Sequence, residues 1–180
     1  MTTYEHTLLN VCNGIYLGRQ FNTIDFNAFD ENKPLDIYIA SIDEKIGYRH
    51  YCAVGLIFKQ GDFDIYYDSG FLIKNKELST KYLGDTLGII MTLDMLKDKK
   101  FKNVNFISTV IKKNNFQTRG FNKNFALYNM LEKAIRKDND TKPFVNFKAP
   151  NEDEEELMRT TFEIVADNER KITRIKLKKR

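Results

Sequence analysis

The stretch from Gly84 to Lys97, GDTLGIIMTLDMLK, leaves little choice about how it folds. Gly84, Gly88 and Thr92 recur every fourth residue and so stack on one face of a helix. Leu83, Leu87, Ile90 and Met91, with Ile89, Leu93 and Leu96 beside them, leave almost no polar side. A helix apolar nearly all round is buried, and a row of small residues lets a neighbouring backbone come close. Asp85 places a carboxylate in the first turn of this apolar segment. The rest of the chain must supply a surface for this helix to lie on.

That surface is predicted from the runs on either side. LDIYIASI (35–42), YCAVGLIFK (51–59) and DFDIYYDSGFLI (62–73) read as strands, and Gln60-Gly61 joins the second and third as a hairpin. The first two are apolar on both faces, as central strands covered by helices are. Ser79 or Thr80 would cap the helix, and Lys97 to Lys100 place cations at its negative end. A fourth strand is expected at 103–111, a second helix at 124–137 and a fifth strand at 144–150. A third helix, NEDEEELMRTTFEIVADNER, is capped by Asn151. The order is β-β-β-α-β-α-β-α, a mixed α/β fold with a five-stranded mixed sheet and helices on its faces.

Residues 1–33 are read as an N-terminal extension: a short helix or two short strands, then a polar linker ending at Pro34. Residues 34–168 form the domain, and 169–180 are a basic tail or an edge strand whose cations discourage aggregation. Six of the 29 basic residues, and no acid, fall in the last ten residues, so without them the chain is net negative rather than +4. Such an end suits nucleic acid or another anionic surface, or serves solubility. Cys12 and Cys52 have no paired spacing, and His6 and His50 are the only histidines, which argues against a disulfide framework, a zinc cluster or a serine triad. A reducing, cytoplasmic compartment is expected, with no membrane span and no signal peptide.

The matches in order are IYIAS (37–41), GDTLGIIMTLDMLK, VNFISTV (104–110), NFALYNML (124–131) and FVNFKAP followed by NEDEEELM. Together they resemble type 1 ribonuclease H, the form also carried by retroviral polymerases. The resemblance spans about residues 35 to 165. It implies a ribonuclease H-like fold, cleavage of RNA in RNA–DNA hybrids, and two magnesium ions held by four carboxylates. Two divalent ions about 4 Å apart need such anionic ligands. Carried over by position, the four acids fall on Ala40, Asp85, Thr109 and Glu155, so two of them are missing, and the loop before the last helix has no His. Asp36, Asp43 and Asp68 are the nearby acids weighed as substitutes, and none of them falls at a lost position.

The reading that follows is a catalytically degenerate domain, a pseudoenzyme, that binds nucleic acid (hybrid, structured RNA or DNA) or a protein partner and needs no cofactor. Lys112, Lys113, Arg119 and Lys123, interleaved with Phe116 and Phe121, and the terminal Arg174, Lys176, Lys178, Lys179 and Arg180 are the predicted nucleic-acid contacts. A divergent nuclease would instead use Asp85, Glu155 and Asp43 to hold magnesium. A third reading, a structural or inhibitory subunit of a virus or mobile element, rests on the Asn/Lys/Ile-rich composition.

Overall fold

The computed structural model describes residues 14–16, 25–46, 49–73, 83–96, 98–108 and 144–178. The elements are β1 (Gly14–Tyr16), a single 3-10 turn (Phe26–Ala28), β2 (Leu35–Ile46), β3 (Arg49–Gln60), β4 (Phe63–Ile73), α1 (Leu83–Met95), β5 (Asn103–Ile107), β6 (Phe144–Lys148) and α2 (Glu155–Lys178). They form one mixed sheet in the order β1-β4-β3-β2-β5-β6. β2, β3 and β4 are antiparallel, whereas β2, β5 and β6 are parallel. All five expected strands are present, and among the described residues Gly14–Tyr16 adds a sixth, antiparallel to β4 at its edge. The helix expected at 124–137 lies outside the described residues.

The predicted hairpin between β3 and β4 closes where Gln60 faces Phe63, leaving a two-residue turn. Gly61 takes φ +57° there, a conformation that favours glycine. The β2–β3 hairpin runs further than its hydrophobic pattern. Ladder pairing continues through Asp43↔Cys52, Glu44↔Tyr51 and Lys45↔His50 to Ile46↔Arg49.

Side chains alternate across the sheet, so its two faces carry different cores. On one face Ile37, Ile39, Val54, Leu56 and Phe106 pack under α1. Every residue from Gly84 to Leu93 is buried, and Leu87, Ile89 and Ile90 are wholly so, each stabilising the fold by about 1.5–3 kcal/mol. The glycine row does what its spacing predicts. A Cβ on Gly84 would collide with the Ser41 side chain, and one on Gly88 would lie 2.8 Å from Val54 Cγ1. On the other face, Tyr38, Ile57 and Ile107 pack under Met158 of α2. There Gly55 makes room, since a Cβ would meet Val165 Cγ2 at 2.5 Å and the Thr161 carbonyl at 2.9 Å.

Two boundaries differ from expectation. Residues 25–33 are not an extension: Phe26 and Phe29 are buried in the α1-side core, Phe26 edge-on to Phe58, and Gln60 Nε2 donates to the Asp30 carbonyl at 2.7 Å. Residues 169–178 are neither tail nor edge strand but the last ten residues of α2. No Gly or Pro follows Pro150, and the Arg, Lys and Ile there sustain a helix once α2 is nucleated. That start is a reciprocal box: the Glu154 N–H donates to Asn151 Oδ1 at 2.8 Å, and the Asn151 N–H donates to Glu154 Oε1 at 3.1 Å. No described helix is long and apolar enough to cross a membrane.

Candidate functional site

Asp85 enters the site because Gly84, directly before it, lets α1 settle onto Ser41 and Cys52. Its side chain is 1% exposed. Ser41 Oγ of β2 donates to Asp85 Oδ1, and Ser108 Oγ, one residue past β5, donates to Oδ2, both at 2.5 Å. One carboxylate therefore joins a helix to two parallel neighbouring strands. Burial pushes its pKa up to about 6. The two hydroxyls oppose that rise by stabilising the anion, and the charge of Asp43 adds to it.

Asp43 follows Ser41 by two residues and so shares the α1 face. It is the one acid among the proposed substitutes that acts on Asp85. Asp36 has the opposite parity and accepts from Asn105 Nδ2 at 2.8 Å. Asp68 lies in β4 opposite Gly55.

Ala40, the first-strand position that the resemblance implies, has the parity of Tyr38 and faces α2, away from Asp85. The residue on that strand which meets Asp85 is Ser41. Just past β5 it is Ser108, whereas Thr109 lies outside the described residues. Glu155 is exposed on the first turn of α2, on the opposite side of the sheet from Asp85. The inward acid there is Glu154: Tyr38 Oη donates to Glu154 Oε2 at 2.9 Å. Burial first, then Glu154 and Asp36, push the Tyr38 hydroxyl pKa upward.

Ser41 and Ser108 share the parity of Ile39 and Phe106, but that parity alone does not single them out. Because β2 is apolar on both faces, the sequence does not say which parity faces which helix.

Arg174, Lys176 and Lys178 stand on the last turns of α2. Lys112, Lys113, Arg119, Lys123, Lys179 and Arg180 lie outside the described residues.

The magnesium pair implied by the resemblance does not fit this donor set. Both oxygens of Asp85 already hold serine protons, and the two strand positions beside it are neutral. Among the described residues, no three His, Cys, Asp or Glu side chains come together in a way that could hold a metal ion. Magnesium prefers six oxygen ligands in near-octahedral array and gives up its water reluctantly, which one shielded carboxylate does not offset.

No family model matches the chain, and no curated protein matches it. Among solved structures it is similar to ribonuclease H1 of the halophilic archaeon Halobacterium salinarum, at 12% identity and a TM-score of 0.46, over 72% of this chain and 94% of that one. It is likewise similar to the N-terminal ribonuclease H domain of a Mycobacterium tuberculosis protein fused to maltose-binding protein. That match has 10% identity and a TM-score of 0.46, over 74% and 92% of the two chains.

Proposed function

We propose that this chain is a ribonuclease H-like domain that has given up metal-dependent cleavage and binds nucleic acid. The observation that carries the first half is the state of Asp85: a buried acid with a serine hydroxyl on each oxygen is a joint between elements, not an open ligand. The strands that meet it bring Ser41 and Ser108, whose hydroxyls at neutral pH are weak ligands for a hard dication. The second half rests on the sequence resemblance and on the charge of α2, which carries Arg170, Lys171, Arg174, Lys176 and Lys178 and no acid over its last nine residues. Cations in that density are the usual footprint of phosphate binding.

The test uses a labelled RNA–DNA hybrid with magnesium and with manganese, in a cleavage assay and a binding assay run together. Binding without cleavage is expected, with Asp85→Asn behaving like the unaltered chain in both. Cleavage that Asp85→Asn abolishes would overturn the proposal in favour of a divergent nuclease. Failure to bind hybrid, duplex or single strands would direct attention to a protein partner.

A further inference from the structure

Serine at positions 41 and 108 decides the chemistry of the Asp85 centre. We infer that these two residues close the centre to divalent cations, and that a carboxylate at either position would open it. The inference deepens the non-cleaving reading above and is independent of what the domain binds.

Three observations converge on it. The hydroxyls come from two different strands and reach different oxygens of the same carboxylate, so no oxygen of Asp85 lacks a donor. Asp85 is 1% exposed, and Gly84 before it packs α1 directly against Ser41 and Cys52, so the carboxylate is shielded from solvent. Finally, the one acid of β2 that shares the parity of Ser41, and so the α1 face, is Asp43. An incoming dication would have to shed water, displace two hydroxyl protons from their acceptor and gain one shielded anion in return. Replacing either serine by aspartate removes a donor and adds an anion on the same α1 face. Asp85, Asp43 and the new residue would then supply three carboxylates, a number that holds divalent ions.

The probe is manganese alone, with the full chain and no nucleic acid. Calorimetric titration is run on the unaltered chain, Ser108→Asp, Ser41→Asp, and Ser108→Asp combined with Asp85→Asn. Thermal unfolding is followed in manganese and in chelator. The unaltered chain is expected to show no saturable binding and the same melting temperature in both. Ser108→Asp is expected to bind manganese at least tenfold more tightly than the unaltered chain, to melt higher with the ion than with chelator, and to lose both properties with Asp85→Asn. A variant that folds only with manganese equally supports the inference.

Saturable binding by the unaltered chain that disappears in Asp85→Asn would overturn it. So would two cooperatively folded aspartate variants that bind no better than the unaltered chain. Should neither variant fold with or without the ion, the unaltered chain and its Asp85→Asn form decide. Because metal binding is read directly, a chain that fails to bind nucleic acid leaves this result standing, and the reverse also holds.

Discussion

Asp85 is held where its charged form is disfavoured, and this ties the stability of the fold to pH. Its carboxyl titrates near 3.8 when solvated and at about 6 in the folded chain. The folded state therefore holds a proton that the unfolded state has released between those values. The stabilisation from this group is complete below about 3.8 and is lost as pH rises through about 6, an effect of roughly 3 kcal/mol. Asp85→Asn removes the titration while keeping the shape, and the neighbouring serines can turn to accept from its amide. Compared with the unaltered chain, the variant should gain up to about 3 kcal/mol between pH 4 and pH 7.5, read by denaturant unfolding at both. Parallel pH profiles would show that the acid is solvated. Glu154 is the second residue with a double task, accepting from Tyr38 and closing the box with Asn151. Glu154→Ala should cost about 1–2 kcal/mol. Tyr38→Phe should cost less, and a cycle between the two should give a coupling of roughly 0.5–1.5 kcal/mol. Additive effects would mean that the cap and the tyrosine hydrogen bond are independent.

At the scale of elements, the two described helices come close to the sheet through glycine, and this is where most of the fold could be read beforehand. The every-fourth row from Gly84 marked α1 as buried, and alternating runs with a glycine turn marked β3 and β4. The far part of the β2–β3 hairpin was not legible, because Asp43, Glu44 and Lys45 interrupt the apolar pattern and only cross-strand pairing carries it on. Nor was the centre: the motif register favoured Ala40, and a strand buried on both faces gives no parity signal against that error. The motif position falls on Glu155 rather than Glu154 for a related reason, since in a run of five acids spacing alone does not single out the one that turns inward. The glycines give a direct test. Gly84→Ala should improve helix propensity by about 1 kcal/mol yet destabilise overall by about 1–3 kcal/mol, because the new methyl meets Ser41 and Cys52. Gly61→Ala meets nothing within 4 Å and should cost about 1 kcal/mol from its backbone angle alone. Once the cost of Ser41→Gly itself, which loses the hydrogen bond to Asp85, is subtracted, that substitution should recover part of the stability that Gly84→Ala removes and none of what Gly61→Ala removes. Equal recovery in both would dismiss crowding against Ser41 as the cause.

Across the whole molecule, charge is separated along α2. Glu152 to Glu156 are five consecutive acids at its start, and Arg170, Lys171, Arg174, Lys176 and Lys178 stand at its end. Twenty-four helical residues span about 36 Å, several times the screening length of about 8 Å at physiological salt. The five starting acids are therefore screened from the basic end, whereas Asp167 and Glu169 stand just before Arg170 and offset part of its charge, which leaves Arg174, Lys176 and Lys178 as the cations of the last turns. The same cations suit the negative end of a helix, so the placement that would attract phosphate also stabilises α2 by a few tenths of a kcal/mol per residue. These roles separate under salt. Replacing Arg174, Lys176 and Lys178 together by Gln should leave the fold intact and weaken binding to an RNA–DNA hybrid at low salt. It should also flatten the dependence of log K on log salt by about 0.7–0.9 for each phosphate that is no longer neutralised, up to about 3 in all. Replacing Glu152 and Asp153 by Gln should leave that slope unchanged. If the basic variant keeps the affinity and slope of the unaltered chain, the end of α2 serves the helix alone and nucleic acid is held elsewhere.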